Sequence, residues 1–440
     1  MRKQAYRGWL AAGAVLFAAN TAAAQSEIQW WHAMAGANND LIVKLATDFN
    51  ATQKDYKVVP SYKGSYPDTL NAGIAAFRAG QAPHIMQVFE VGTATMMSAT
   101  GAIKPVHVMM KEAGEPFDPN AYLPTVTGYY STTKGEMLSM PFNSSSTVMW
   151  YNKDAFRKAG LDADKPPKTW PEVFEAAKKL KASGHPNCGF GNAWITWVHL
   201  EQFSAWHNVP LATKANGMDG TDTELKFNSA LHVKHLQNLV DLVKDNTYSY
   251  SGRTNQGEGR FTSGECPIFL TSSGFSGGVR ANAKFDFGNA PMPYYPEAAD
   301  APQNSIIGGA SLWVMGGKSA QDYKGVAKFF TFLSNTDLQV TMHQKSGYVP
   351  ITKAAYEKSK ASGFYKEFPY METPLIELLN KAPTENSRGL RLGDMVRLRD
   401  VWAEEIEAAL AGKKTAKQAL DDAVSRGNAM LRQFERTVSR

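Results

Sequence analysis

Strand-forming and helix-forming stretches alternate along the first part of the chain. β-Branched and aromatic residues cluster at residues 28–32, 56–62 and 84–89, which predicts three strands. Apolar residues recur at fourfold spacing over residues 39–50 and along one face over residues 68–79, which predicts a helix in each interval. The order β-α-β-α-β predicts a parallel sheet with helices on both faces.

The same alternation starts again after a polar stretch. Residues 143–147 carry a row of amide and hydroxyl side chains, and the strand-forming residues 148–151 follow them. Such a row between two α/β units predicts a hinge that also contacts a ligand, although an ordinary polar turn before a buried strand would give the same pattern. Further strands are predicted at 188–190, 266–271 and 306–314, and further helices at 170–182, 230–244, 319–333 and after the capping box at 415–418.

Chain length and the repeated alternation predict an α/β protein of two lobes. A chain of 440 residues is too long for one compact core. Residues 285–291 are predicted to lead the chain back to the first lobe, so the lobes exchange chain more than once. The first lobe is predicted at 25–142 and 286–335 and the second at 143–285 and 336–440, with a ligand cleft between them.

The first 24 residues have the pattern of a removable secretory signal. Three basic residues, Arg2, Lys3 and Arg7, precede an apolar run over residues 9–19, and three alanines follow at 22–24. The apolar run is too short for a stable membrane anchor. We therefore expect cleavage after these alanines and export to the periplasm.

Net charge argues against a nucleic-acid-binding function, and the cysteine content favours a disulfide over a metal site. The formal net charge of +6 falls to +3 once the three basic residues of the signal are removed, whereas a nucleic-acid partner would require a basic stripe. The chain contains only two cysteines, Cys188 and Cys266. In an exported protein one such pair is more often a disulfide than a metal site, so we expect the two residues to be bonded.

A stretch of small residues at 272–278 follows the predicted strand at 266–271. Small residues between a strand and a helix leave backbone N–H groups open to an anion. The stretch also fits the G-x-S-x-G pattern of serine esterases, with Ser276 in the nucleophile position. A secreted esterase is therefore one alternative function, and it requires an Asp and a His that the fold must bring to Ser276.

Several side chains lie where an α/β protein binds its ligand. Such ligands bind beyond the carboxyl ends of the strands, and Tyr66 and Glu90 lie just past two predicted strand ends. Trp194 and Trp197 are three residues apart, so they would share one face of a helical turn. Two tryptophans on one face are more often part of a core than a platform for a ligand.

A set of motifs, spread in order over nearly the whole mature chain, carries a family resemblance. The motifs are WHAM at 31–34, FEVGTATMM at 89–97, PFNSSS at 141–146, YNKDAFRKAGLD at 151–162, PPKTW at 166–170, APQNSIIGGASLWVM at 301–315, GYVPITKAAY at 347–356 and GLRLGDM at 389–395. With them the chain resembles the extracytoplasmic solute-binding proteins of ABC importers, in the maltose-binding-like group. Within that group it is similar to the members that bind sn-glycerol 3-phosphate.

The resemblance implies a two-lobed periplasmic binding protein of type II, which is not an enzyme and uses no cofactor. It implies that a monomer binds sn-glycerol 3-phosphate, or a glycerophosphodiester such as glycerophosphocholine, and delivers it to the membrane permease subunits of an ABC importer. The ligand-binding residues implied by the matching motifs are Tyr66, Glu90, Ser145, Trp194, Trp197, Ser272, Gly309, Tyr348 and Arg399.

These residue types suit a phosphate monoester. Its phosphate presents several acceptor oxygens, and Arg399 would donate two parallel hydrogen bonds to it, with further donors from serine and tyrosine hydroxyls. Glu90 would accept hydrogen bonds from the glycerol hydroxyls and repel a misplaced phosphate. The alternative within the same fold is a neutral oligosaccharide, which would instead stack on Trp194 and Trp197.

Overall fold

The computed structural model of the protein describes residues 25–99 and 101–438. The secretory signal predicted for the first 24 residues lies outside these described residues. Within the described residues, no helix combines the length and the apolar character that crossing a membrane requires.

The structure contains two five-stranded sheets. The strands are β1 (Ser26–His32), β2 (Tyr56–Tyr62), β3 (Ile85–Phe89), β4 (Met140–Ser145), β5 (Thr147–Asn152), β6 (Phe190–Asn192), β7 (Tyr248–Ser249), β8 (Ile268–Ser272), β9 (Phe287–Pro291) and β10 (Gly308–Val314). The first sheet has the order β2-β1-β3-β10-β4, and the second has the order β7-β6-β8-β5-β9. The mixed α/β architecture predicted from the alternation is confirmed.

Helices cover both sheets. The α-helices include Ala37–Thr52, Tyr66–Arg78, Thr93–Ser98, Val106–Ala113, Pro124–Tyr130, Lys153–Lys158, Trp170–Ala182, Phe203–Trp206, Ala230–Val243, Glu258–Thr262, Ser276–Asn282, Ala320–Leu333, Thr336–Ser346, Lys353–Ala361, Phe364–Glu367, Thr373–Leu378, Met395–Leu410 and Ala416–Val438. A π-helical turn, Trp197–Gln202, leads into Phe203–Trp206. The predicted capping boxes at Thr169 and Thr415 are confirmed, since each hydroxyl accepts from the backbone N–H three residues later while the side chain there reaches back.

Strand direction agrees with the sequence prediction for the first three strands, and each sheet also contains antiparallel pairs. β1 runs parallel to β2 and β3, as predicted, but β10 is antiparallel to both of its neighbours. In the second sheet β5 is likewise antiparallel to β8 and β9. The parallel arrangement predicted for the first three strands is therefore confirmed, and each sheet as a whole is mixed because a strand that arrives from the other part of the chain enters it in the opposite direction.

Two segments for which the sequence predicted no strand form strands in the structure. Residues 143–145 do not form a loop but are the end of β4, and the chain passes from the first sheet to the second between Ser145 and Thr147. The crossing predicted at 285–291 is also wrong, since β9 pairs with β5 in the second sheet and the return to the first sheet follows Pro291. The division into lobes stays a prediction.

The two cysteines are bonded, as predicted from their number. Cys188 and Cys266 are fully buried and form a disulfide beside β6 and β8. Both residues belong to one hydrophobic cluster that covers a face of the second sheet, together with Val148 and Trp150. The cross-link therefore fastens neighbouring segments of the second sheet.

Candidate ligand-binding cleft

A cleft of about 440 Å³ lies between the two sheets, and its lining comes from both. All nine residues named from the sequence line it, although they are spread from Tyr66 to Arg399 along the chain. Contact of these residues with a ligand stays a prediction, whereas their convergence on one cleft is a property of the structure.

Strand ends position three of these nine side chains. Glu90 directly follows β3, Ser145 ends β4, and Ser272 ends β8. Tyr66 is the first residue of the helix after β2, and Ser65 and Asp68 form a capping box at the N-terminus of this helix. The cleft therefore lies beyond the carboxyl ends of strands, where α/β sheets bind their ligands.

Arg399 joins two buried carboxylates in what we call the ionic triad (Glu90, Glu201 and Arg399). Its Nε donates to Glu201 Oε1 at 2.7 Å, and its Nη2 donates to Glu201 Oε2 at 2.6 Å and to Glu90 Oε1 at 2.9 Å. The exposed fractions of these side chains are 12% for Arg399, 6% for Glu90 and 0% for Glu201. Burial raises the pKa of Glu90 to about 7, against the lowering effect of Arg399.

The ionic triad corrects the role predicted for Arg399. The Nε–Nη2 edge, which would have bound a phosphate with two parallel bonds, is engaged by Glu201. Glu201 was missed because its partner is 198 residues away in sequence. The triad sets two carboxyl groups against one guanidinium, so its surroundings suit hydroxyl groups better than a phosphate dianion.

Of the three hinge serines, Ser145 is the one that lines the cleft. Ser144 is fully buried, and its hydroxyl has no hydrogen-bond partner in the described part of the chain. The hydroxyl of Ser146 donates to Glu377, a carboxylate whose pKa burial raises to about 8. The choice of Ser145 from the sequence agrees with this geometry.

Tyr66 is oriented by a chain of hydrogen bonds from the first sheet. The backbone N–H of Ala33 donates to Gln87 Oε1 at 2.8 Å, and Gln87 Nε2 donates to Asn143 Oδ1 at 2.8 Å. Asn143 Nδ2 in turn donates to the Tyr66 hydroxyl oxygen at 2.9 Å. The Tyr66 hydroxyl also lies within hydrogen-bonding reach of the Tyr348 hydroxyl, so the two phenols form a pair at the cleft. Asn143 belongs to the polar row at 143–147 and acts as a positioning residue, although it is not among the nine ligand-binding residues named from the sequence.

Ser272 is prepared in the same way on the opposite side of the cleft. Its Oγ accepts from the backbone N–H of Gly274 at 3.0 Å, which leaves the hydroxyl proton free to donate. A Cβ on Gly274 would lie 2.7 Å from Cε1 of Tyr348, so glycine is required where this ring passes. Burial raises the pKa of Tyr348 and of Tyr66, so both are neutral hydroxyl donors at pH 7.

Two glycines, Gly308 and Gly309, stand at the start of β10 where other groups approach closely. Gly309 has φ of 99°, and a Cβ there would lie 2.1 Å from the carbonyl oxygen of Asn143. A Cβ on Gly308 would lie 2.5 Å from Cζ2 of Trp197. The start of β10 therefore brings its backbone against both β4 and an indole of the cleft.

The two tryptophans line the cleft in different ways. Trp197 begins the π-helical turn and is 4% exposed, so it belongs to the core as well as to the cleft. Trp194 lies before that turn, with φ of 54°, a left-handed conformation that a bulky residue rarely adopts. The prediction that both lie on one helical turn is wrong for Trp194. A strained backbone conformation of this kind persists only where the surrounding structure holds it. Here the backbone N–H of Trp194 donates a hydrogen bond to the backbone carbonyl of Thr254.

Ser276 lacks the partners of an esterase nucleophile. Its hydroxyl donates to Met371 Sδ at 3.2 Å, and the residue is 1% exposed. The nearby His343 is engaged through Nδ1 by the carbonyl of Tyr348 and through Nε2 by Tyr365. The geometry therefore gives Ser276 no general base. Among residues 25–99 and 101–438, no three His, Cys, Asp or Glu side chains are grouped as metal ligands.

The chain matches the family model of the bacterial extracellular solute-binding proteins over residues 44–373. The sn-glycerol-3-phosphate-binding periplasmic protein UgpB of Rhizobium meliloti (strain 1021) is 54% identical over 410 residues, which cover 93% of this chain and 95% of that protein. The protein of the same name from Escherichia coli (strain K12) is 51% identical over 418 residues, which cover 95% of each chain.

Solved structures share the fold. UgpB from Mycobacterium tuberculosis in complex with glycerophosphocholine has a TM-score of 0.79 at 19% identity, covering 93% of this chain and 99% of that one. Maltose-bound MalE3 from T. maritima has a TM-score of 0.75 at 19% identity, covering 92% and 100%. The two-lobed type II fold predicted from the sequence is confirmed by these likenesses. The chain belongs to the bacterial extracellular solute-binding protein family.

Proposed function

We propose that this protein captures sn-glycerol 3-phosphate in the periplasm and delivers it to the permease subunits of an ABC importer, without chemical turnover. The observation that carries the proposal is that the cleft combines the ionic triad with neutral hydroxyl donors. A glycerol phosphate has matching parts, namely hydroxyls that both donate and accept and a phosphate that mainly accepts. The names of relatives at 54% and 51% identity support the same ligand.

We infer a definite orientation for this ligand. Its glycerol hydroxyls meet Glu90, which accepts from them, and the Nη1 group of Arg399, which is not engaged by Glu201. Its phosphate accepts from the hydroxyls of Ser145, Ser272, Tyr66 and Tyr348, away from the carboxylates. The helix Ala37–Thr52 begins at the cleft without a side-chain cap, so its first N–H groups also favour the phosphate.

Closure of the lobes would follow from contacts with both sheets. Tyr66 and Glu90 extend from the first sheet, and Ser272 extends from the second. A ligand that bridges them stabilises the closed arrangement, because only there are all of these contacts made. Charge-assisted hydrogen bonds contribute roughly 1.5–3 kcal/mol each, so a handful supports an affinity near micromolar after the costs of binding.

Titration calorimetry of the mature protein tests the proposal. We expect sn-glycerol 3-phosphate to bind at low-micromolar concentration or tighter and maltose to give no heat. Binding of maltose alone would keep the fold and replace the phosphate ligand with an oligosaccharide on Trp194 and Trp197. Ser276→Ala should leave the binding unchanged, and hydrolysis of an ester by the wild type that this substitution abolishes would contradict a purely binding function.

A further inference from the structure

A second cavity, of about 560 Å³, lies outside the cleft. We call it the outer pocket, and its lining comes from residues 124–133, 218–219 and 378–391. Its volume falls within the range of pockets that hold small organic ligands. Among the described residues, none lines both the outer pocket and the cleft, so the outer pocket takes no part in the function proposed above.

Three cationic side chains and one acidic side chain line the outer pocket. The acidic one, Asp219, forms an ion pair with Arg388. Lys381 donates to the backbone carbonyl of Asp300 at 2.9 Å, and Arg391 also donates to backbone carbonyls. Within residues 25–99 and 101–438, neither Lys381 nor Arg391 forms an ion pair with a carboxylate. The outer pocket therefore carries positive charge that these residues do not neutralise.

Arg391 is half-buried, whereas the other two cations are exposed. Its Nη2 donates to three backbone carbonyls at the end of the helix Pro124–Tyr130, at 2.9 to 3.2 Å. Its Nη1 donates to no residue of the described part of the chain, so this group remains for a ligand. Burial lowers the pKa of Arg391, because a cation withdrawn from water without a carboxylate partner is disfavoured. A carboxylate, phosphate or sulfonate that accepts from Nη1 would supply the missing partner.

Apolar side chains form another part of the lining. Met218, Leu378, Leu379 and Pro383 contribute to it. Leu379 is 47% exposed and is one of the few large apolar side chains at the surface of the described residues. A ligand with an apolar body would cover Leu379, and the removal of apolar surface from water would stabilise the complex. The lining therefore suits a molecule that combines an anionic group with an apolar part.

We propose that the outer pocket is a second ligand site, which binds a small amphipathic organic anion. The anionic group accepts hydrogen bonds from Arg391, and the apolar part packs on Leu378 and Leu379. Lys381 and Arg388, at exposed positions of the lining, add to the attraction of the anion. Inorganic phosphate lacks the apolar part and a neutral apolar molecule lacks the charge, so each binds more weakly than a molecule with both.

Two fluorescent probes test the contribution of charge. Anilinonaphthalenesulfonate carries a sulfonate, and N-phenylnaphthylamine has the same rings without it. In fluorescence titrations of the mature protein we expect the sulfonate to bind about tenfold more tightly than the neutral probe. Arg391→Met should weaken the sulfonate by about tenfold and change the neutral probe by less than about twofold. Arg397→Met is the control, because Arg397 is 69% exposed and does not line the outer pocket.

A second pair of variants tests the place of binding and leaves every charge unchanged. Gly128 lines the outer pocket, and a Cβ there would meet no atom within 4 Å. Gly128→Phe should therefore fill the pocket and weaken both probes by about tenfold, while Gly128→Ala, the matched control, should change them by less than about twofold. Equal binding of the sulfonate by these two variants would overturn the proposal, and so would equal binding of both probes by the wild type. These two comparisons decide the matter even if Arg391→Met does not fold.

Discussion

Two groups of buried ionisable side chains invite comparison, the ionic triad of the cleft and a histidine cluster (His199, His207, His232 and His235). Burial lowers the pKa of His199 and His232 to about 3 and that of His207 to about 4. The same physical cause raises the pKa of Glu90 to about 7. Buried groups with shifted pKa values therefore occur at two places, of which one lines the cleft.

The difference lies in what surrounds the polar atoms. In the histidine cluster the protein itself supplies partners to most ring nitrogens, such as the backbone N–H of Tyr295, which donates to His207 Nε2, and the serines that engage His232, while the buried Nε2 of His199 has none among the described residues. In the ionic triad no residue of the described part of the chain accepts a hydrogen bond from the Nη1 group of Arg399, and the guanidinium lines the cleft. A shifted pKa marks a candidate ligand site only where polar atoms also face a space that a ligand can enter. Three predictions test this contrast.

The largest effect is expected from Arg399→Ala. This substitution leaves Glu90 and Glu201 buried without a cation, so we expect the free energy of unfolding to fall by about 3–5 kcal/mol and ligand affinity by on the order of 100-fold or more. Urea denaturation and titration calorimetry measure the two effects. Arg397→Ala is the control, because Arg397 lies two residues away with an exposed fraction of 69%. Retention of full affinity by Arg399→Ala would remove the triad from the binding site.

The next largest effect is expected in the pH dependence of the free energy of unfolding, to which the histidine cluster and Glu90 contribute with opposite signs. The histidines have folded pKa values below their unfolded value of about 6.5, so their contribution is complete above that pH and is lost as the pH falls below it. Each buried histidine lowers the free energy of unfolding by about 1.4 kcal/mol for every pH unit below 6.5, which amounts to about 2 kcal/mol at pH 5. Glu90 acts in the opposite direction, since its raised pKa gives a contribution that is lost as the pH rises from about 4.5 to about 7.

Substitution within the cluster isolates the histidine effect. His232→Gln should reduce the acid sensitivity of unfolding by about one histidine's share and leave ligand affinity at pH 7 unchanged. Urea denaturation between pH 5 and pH 7 measures the slope, with His185→Gln as a control outside the cluster. An unchanged slope in His232→Gln would show that the cluster does not govern acid stability, and a loss of ligand affinity would show that it is not separate from the cleft.

The smallest effect is expected from a single hydroxyl. Ser145→Ala removes one donor to the phosphate, which should weaken sn-glycerol 3-phosphate by about tenfold. Ser144→Ala is the matched control, since the neighbouring hydroxyl is buried and lies outside the cleft lining. Equal affinities of the two variants in titration calorimetry would contradict the choice of Ser145.

The sequence allowed the elements that local signals define to be predicted. The strand at 56–62 has the predicted bounds, and the capping boxes mark true helix starts. The segments that were misassigned, β4 and β9, are both edge strands. An edge strand tolerates polar residues and proline, such as Pro291, because one side of its backbone needs no partner strand.

The site was predictable to the extent that it follows strand ends and a family resemblance. Tyr66 and Glu90 could be placed from the alternation of elements, and the other seven residues came from matching motifs. Glu201 carries no local signal, because a glutamate on a helix is usually solvated. Its role depends on where the fold places Arg399, with which it pairs.

The disulfide has a practical consequence for observing motion. It uses both cysteines of the chain and lies beside the second sheet, so it does not join the two sheets. Cysteines introduced at exposed positions on either side, such as Lys44 and Lys178, would therefore be the reactive thiols of the molecule. Fluorescent dyes attached there would convert closure of the cleft into a change in energy transfer, and the arrival and departure of single ligand molecules would become visible in time.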